Sequence, residues 1–101
     1  MTTVKTLSQL EGEPHANVFP DAEPKTIRLT LSAGEAVAPH THPGRDIVCY
    51  LLEGRIELQV GGGTDELAAG DVARFEGEAE ISPHAIEDST ALLVLAPRAE
   101  D

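Results

Sequence analysis

The sequence predicts an all-β domain, an antiparallel sandwich or barrel. Residues 26–31 and 55–60 alternate polar and apolar side chains, and this period of two is what a strand with one buried face requires. Glycine, proline and aspartate separate the short apolar segments at regular intervals, as turns do in antiparallel sheets. No segment carries the apolar stripe of a helix over about ten residues. Together these observations favour about six to nine short strands.

The first predicted element is an irregular, proline-rich N-terminal arm, residues 1–24, with one short strand near residues 16–19. Residues 25–97 form the predicted barrel, and residues 98–101 form a C-terminal tail. Residues 47–52 are apolar without interruption, which predicts a strand covered on both faces. Three consecutive glycines at 61–63 predict a hairpin loop. The predicted strands of the barrel are 26–31, 47–52, 55–60, 66–67, 72–75, 80–81 and 91–96.

The composition describes one small domain with an aliphatic core. The chain has 101 residues, of which 41% are hydrophobic and only 3% aromatic. A core of this kind buries little area per residue, so we expect modest stability for a single chain and a homodimer in solution. The single cysteine, Cys49, lies in the apolar run and cannot form an internal disulfide, which predicts a buried, unreactive side chain.

The charge balance excludes one class of partner. Acidic residues outnumber basic ones by 18 to 7, and the formal net charge is -11. Because nucleic acid is a polyanion, we expect no nucleic-acid partner. The excess of carboxylates over lysines is typical of salt-adapted proteins. The sequence has no apolar stretch of membrane-spanning length and no signal-peptide core at its start, which predicts a cytoplasmic protein without a membrane partner.

Two histidines separated by one residue, His40 and His42, are the strongest functional signal. On a strand, residues i and i+2 share a face, so both imidazoles are able to reach one metal ion at about 2.0–2.2 Å. Two histidines at this spacing are a weak signal when taken alone. No phosphate-binding glycine loop and no nucleophile motif is present, so the sequence assigns no catalytic residue and no organic cofactor site.

The residues around this pair resemble the first signature of the cupin superfamily, G-x5-H-x-H-x(3,4)-E-x6-G. Gly34, His40, His42 and Gly54 stand at the signature positions. The stretch 67–72 is similar to the opening of the second signature, and residues 91–95 to the closing strand. The resemblance covers residues 27–96 and is that of a small single-domain cupin. It implies a jelly-roll β-barrel, usually a dimer, with its site inside the barrel mouth.

The chain departs from the family pattern at two expected ligand positions. Counting back from Gly54 places Ile47 where the family has a glutamate, and Asp46 is one residue out of phase. A one-residue offset points a side chain to the other face of a strand, unless a bulge intervenes. In the second signature, reading without gaps places Ile81 at the third histidine. A three-residue insertion instead brings His84 into that position.

Two functions follow from these alternatives. The first is a small-molecule-binding cupin whose metal site is partial or degenerate. The second is a metal-dependent cupin enzyme, dioxygenase-like or isomerase-like, in which His84 and either Asp46 or His15 complete a site for a divalent metal ion. The histidine His15 in the arm is otherwise interpreted as a solvated loop residue. The candidate metal ligands are His40, His42 and His84.

Overall fold

The computed structural model describes residues 2–98, which form eight β-strands and a short 3-10 helix, Leu7–Gln9. Of the predicted C-terminal tail, residues 99–101 lie outside the described residues. No helix within residues 2–98 is long and apolar enough to cross a membrane. The strands are β1 (His15–Asn17), β2 (Lys25–Leu31), β3 (Arg45–Glu53), β4 (Arg55–Val60), β5 (Gly63–Ala68), β6 (Val72–Glu76), β7 (Ile81–Ala85) and β8 (Ser89–Pro97).

Two antiparallel sheets form the barrel. One has five strands in the order β1-β2-β8-β3-β6, and the other has three in the order β5-β4-β7. All the strand pairs are antiparallel. The predicted all-β class and the antiparallel barrel are therefore confirmed. Strands β5 and β7 are longer than predicted, because pairing with β4 on its two sides orders residues with weak apolar patterns.

The core lies between the inner faces of the two sheets. On β4, Ile56 and Leu58 are buried while Glu57 and Gln59 face solvent, as the alternation predicts. Val37, Val60, Ala73 and Phe75 pack against the edge of this core. The fully buried part of the core is aliphatic except for one cysteine. Its members are Ile27, Leu29, Leu31, Ile47, Cys49, Leu51, Ile56, Leu58, Leu67, Ile81, Ala85, Ala91, Leu93 and Leu95.

Strand β3 corrects one prediction. Residues 47–52 are not covered on both faces, because Val48 is 38% exposed and Tyr50 is 40% exposed. Only Ile47, Cys49 and Leu51 point into the core. Strand β3 lies within an antiparallel sheet that has one face on the core and one face outward, so an apolar run does not require two covered faces. Cys49 is buried as predicted, and burial raises the pKa of its thiol to about 11.

One buried arginine fixes the first part of the N-terminal arm to the barrel. Arg28 on β2 is 7% exposed, and its guanidinium donates to the carbonyl oxygens of Leu7 at 2.5 Å, Leu10 at 3.2 Å and Gly12 at 2.8 Å. Strand β1 follows directly and pairs with β2. The short strand predicted near residues 16–19 is therefore β1 at His15–Asn17, and it forms an edge of the five-stranded sheet.

Replacing Arg28 with methionine removes all three donors while keeping much of the apolar stem. We expect a loss of stability on the order of 2 kcal/mol, because three carbonyl groups lose charge-assisted hydrogen bonds. Urea unfolding measures the loss, and cleavage by a glutamate-specific protease after Glu11 reports release of the arm. Arg55→Met is the control, since Arg55 makes only exposed ion pairs and its loss is expected to cost less than about 1 kcal/mol. Equal losses in the two variants would contradict the role of Arg28.

Candidate functional site

The segment that carries the two paired histidines runs along the edge of β7. The N–H of Val37 donates to the carbonyl oxygen of Pro83 at 2.9 Å. His40 and Ile81 exchange backbone hydrogen bonds in both directions, at 3.2 and 2.9 Å. The segment is an irregular extension of the three-stranded sheet and not the regular strand that the spacing of the histidines predicts.

His42 is positioned by a close approach to Gly77. The N–H of His42 donates to the carbonyl oxygen of Gly77 at 2.7 Å. The N–H of Gly77 in turn donates to the carbonyl oxygen of Arg45 at 2.8 Å. A Cβ atom on Gly77 would collide with the carbonyl oxygen of His42. Only glycine therefore allows the turn at residues 42–45 to lie this close to the end of β6.

The two imidazoles are in contact. Their ring centroids lie 4.8 Å apart, and the ring planes are nearly perpendicular at 88°. The Nδ1 atom of His40 lies 2.8 Å from the carbonyl oxygen of Ala38. A carbonyl oxygen only accepts hydrogen bonds, so Nδ1 carries the proton and Nε2 carries the lone pair when this ring is neutral.

A cavity of about 600 Å³ lies beside these rings. It is large enough for a small organic molecule, since binding sites for such molecules span roughly 300–1,000 Å³. Its walls combine imidazole, amide and ammonium groups with aliphatic side chains. They come from β1, β2 and the segment before β3, and the lining residues are His15, Asn17, Lys25, Ile27, Val37, Ala38, Pro39, His40 and His42.

The pairing register of β1 explains why a histidine of the arm reaches this cavity. His15 pairs with Leu29, and Asn17 pairs with Ile27. Residues directly opposite each other in an antiparallel pair point to the same face, and both β2 partners belong to the core. His15 and Asn17 therefore project from the inner face of the sheet. His15 is exposed, which agrees with its interpretation as a solvated residue, but it lies on a strand and not in a loop. No local pattern in the sequence shows which strand the arm pairs with.

The basic groups of the cavity influence one another. The pKa of His15 is lowered from its usual value, mainly by burial and then by the nearby His40 and Lys25. The pKa of His42 is lowered for the same reasons, with burial the largest cause. None of the residues that line the cavity is acidic, although the chain contains 18 acidic residues. The cavity is thus a local concentration of nitrogen groups in a strongly acidic protein.

The two expected ligand positions on the strands are apolar and buried. Ile47 is 1% exposed and Ile81 is 2% exposed, and both belong to the core. Asp46 points to the outer face, where its carboxylate pairs with Arg74 at 3.4 Å and Arg98 at 3.2 Å. The only register shift of β3 lies between Leu51 and Glu53, too far along the strand to turn Asp46 inward.

His84 is not brought together with the other candidate ligands. Along β7, Ile81, Pro83 and Ala85 are buried, and the residues between them face outward. The imidazole of His84 is 48% exposed, and its Nδ1 atom lies 3.7 Å from a carboxylate oxygen of Glu57. The alignment with a three-residue insertion would place His84 beside His40. The structure does not bring the two together, because the alternation of side chains along β7 points His84 to the opposite face.

The donor set does not fit a metal held by three protein side chains. A catalytic metal site in proteins has about three protein ligands and one open position. Among residues 2–98, no group of three or more histidine, cysteine, aspartate or glutamate side chains lies close enough to hold a metal ion. His40 and His42 adjoin each other, whereas His15 shares the cavity without completing such a group.

Comparison with known proteins identifies the class. The family model described as Cupin domain matches residues 27–96, most of the barrel. This chain therefore belongs to the cupin family, as its first signature predicts. Among proteins with curated descriptions, none matches the sequence.

Solved structures agree on the architecture. An RmlC-like cupin from Shewanella frigidimarina is 19% identical with a TM-score of 0.80, over 100% of this chain and 96% of that chain. A double-stranded β-helix protein from Klebsiella pneumoniae is 17% identical with a TM-score of 0.79, over 96% and 91% of the two chains. A protein from Thermus thermophilus is 32% identical with a TM-score of 0.75, over 95% and 98%. The two more distant likenesses show the fold alone.

The lowered pKa values of His15 and His42 predict how stability depends on pH. The usual pKa of histidine is about 6.5, and the folded state lowers it for these two residues. Below about pH 6.5 the folded state therefore binds fewer protons than the unfolded state, so the free energy of unfolding falls as the pH drops from about 7 toward the lowered pKa values. Urea unfolding between about pH 7.5 and 5.5, in EDTA, measures the slope. In the His15→Gln/His42→Gln double variant the slope is expected to decrease. An unchanged slope in the double variant would contradict the prediction.

Proposed function

We propose that this cupin binds a small organic molecule in the cavity between β1, β2 and the segment before β3. The observation that carries the proposal is the composition of that cavity. Three histidines, a lysine and an asparagine line about 600 Å³ together with aliphatic side chains. Small-molecule sites in proteins have this character, with apolar walls and a few polar groups that orient the ligand.

Each wall has a distinct role in this proposal. Ile27 and Val37 contact the apolar part of the ligand and exclude water from it. His15 and Asn17 reach the ligand from the edge of the five-stranded sheet, while His40 and His42 reach it from the segment along β7. In its neutral form His40 presents the lone pair of Nε2, which accepts a hydrogen bond from a ligand donor.

A divalent metal ion has a secondary place in the proposal. His40 and His42 supply two imidazoles, and two ligands bind a divalent ion weakly and with little selectivity. The alternative function, a metal-dependent enzyme, has less support. It requires further ligands, and Asp46 and His84 both face away from the cavity. His15 does line the cavity, but within residues 2–98 it does not form a group of three possible ligands with His40 and His42.

We also propose a homodimer formed through the outer face of the five-stranded sheet. Val48 and Tyr50 lie on this face of β3, and Val72 pairs with Tyr50 from β6. These side chains are 38%, 40% and 62% exposed. Leu92 and Val94 continue the apolar surface on β8, opposite Tyr50 and Val48. A small aliphatic core gains stability when a second copy covers such a surface.

Filling the cavity tests the binding proposal. Ala38→Trp places an indole at an exposed position of the cavity wall, and Ala69→Trp places the same group in the turn after β5. A set of polar and apolar organic fragments is screened against EDTA-treated wild-type protein by ligand-observed NMR. We expect saturable binding of some fragments, with at least about tenfold weaker affinity in Ala38→Trp and no change in Ala69→Trp. Absence of binding, or equal binding in both variants, would overturn the proposal.

Elemental analysis of untagged protein is the matching test for the metal. We expect a metal content well below one ion per chain after dialysis. One ion per chain, lost in both His40→Ala and His42→Ala, would support the enzyme alternative instead.

The dimer is tested by placing a charge on the proposed interface. Val72→Asp is expected to shift the chain toward monomer in analytical ultracentrifugation, because the interface would have to bury an unpaired carboxylate. Val4→Asp is the control, since Val4 is 83% exposed and lies in the arm. A monomeric wild type, or equal dissociation of the two variants, would contradict the proposal.

At low salt we expect the wild-type dimer to weaken, because its net charge of -11 is then less screened.

A further inference from the structure

The half-buried Lys25 is the one cavity residue with a permanent positive charge. It lies at the start of β2, two residues before Ile27, so both side chains point to the same side of the strand. Its side chain lines the same cavity as His15 and His42. The ammonium group is therefore close to the space in which a ligand would lie.

This lysine has no carboxylate partner in the part of the chain that the structure describes. Arg45, Arg55, Arg74 and Arg98 each pair with at least one aspartate or glutamate. The guanidinium of Arg28 donates to backbone carbonyl oxygens. Within residues 2–98, no aspartate or glutamate oxygen lies within 4 Å of the ammonium of Lys25. In a chain with 18 acidic residues, such a cation beside a cavity without acidic lining calls for an anion from outside.

The carboxylate of Glu23, two residues before Lys25, pairs with an arginine. Glu23 accepts a hydrogen bond from the backbone N–H of Lys25 at 3.2 Å, but its side chain pairs with Arg45 at 2.6 Å. The pKa of Glu23 is lowered mainly by that bond with Arg45. The charge of Lys25 also acts on Glu23, but more weakly than the bond with Arg45, and the two side chains form no direct ion pair.

We propose that the ligand of this cavity is an organic monocarboxylate with an aliphatic or aromatic body. The inference rests on the proposed binding function and specifies its ligand class. The carboxylate pairs with the ammonium of Lys25 and receives N–H donors from Asn17 and from the imidazoles of His15 and His42. The body of the ligand packs against Ile27, Val37, Ala38 and Pro39.

The charge of the cavity favours one negative charge over two. Lys25 supplies one full positive charge, which a monocarboxylate neutralises. A phosphate monoester carries close to two negative charges at neutral pH. The second charge would meet no further fixed cation among the lining residues and would be repelled by a protein whose net charge is -11. The apolar half of the lining likewise suits a carbon skeleton better than a compact inorganic anion.

Matched pairs of acid and amide test the inference. The probes are 3-methylbutanoate, hexanoate and benzoate, each compared with its primary amide, which keeps the shape and removes the charge. Binding to EDTA-treated protein at about pH 7.5 is measured by ligand-observed NMR titration. The variants are Lys25→Gln, which removes the charge, and Lys25→Arg, which keeps it. Lys5→Gln is the control, because Lys5 lines a different depression.

We expect at least one acid to bind about tenfold or more tightly than its amide, as expected for a charge-assisted contact. Lys25→Gln should remove that preference, whereas Lys25→Arg and Lys5→Gln should retain it. Ala38→Trp should weaken acid and amide alike, since it blocks the cavity itself.

The possible failures separate the two proposals. If amides bind in the cavity as tightly as acids, or if Lys25→Gln leaves the preference unchanged, the ligand class is wrong and the binding function stands. If none of the acids binds while fragments of the general screen do, the ligand class is again wrong. If neither the acids nor the fragments bind, both proposals are overturned.

Discussion

The barrel depends on the strict alternation of side chains along its strands. The two sheets bury their inner faces against each other, so alternate residues in the central parts of the strands are apolar and buried, and the residues between them point outward. A shift of one residue therefore decides whether a side chain reaches the interior. Asp46 and Ile47 show the consequence, since the carboxylate binds arginines on the surface while the isoleucine fills the core.

The same constraint shapes the candidate site. On β7 the buried positions belong to Ile81, Pro83 and Ala85, so His84 faces outward next to Glu57. On β1 the register with β2 turns His15 and Asn17 inward. The histidine that joins His40 and His42 at the cavity is therefore the one from the arm. The family signature does not include that residue.

Charge is distributed unevenly over this acidic protein. Exposed carboxylates bind four of the five arginines in ion pairs on the outer surface. Such exposed pairs contribute little to stability individually, but they leave few cations without a partner. Lys25 and the three imidazoles remain beside a cavity that has no acidic lining. The lining of this cavity therefore differs in charge from the rest of the protein, and this difference is the physical basis of the proposed binding of an anion.

The sequence alone was sufficient for the all-β class, most strand positions, the buried Cys49 and the family, because each depends on local periodicity or on a motif of fixed spacing. It also predicted that Asp46 would point away from the interior, since alternation follows from position along one strand. Which residues meet across the barrel was decided by the tertiary structure. The placement of His15 and Lys25 beside His40, and the outward direction of His84, follow from strand pairing between distant segments. Pairing register depends on how two faces pack together, and no single segment of the sequence contains that information.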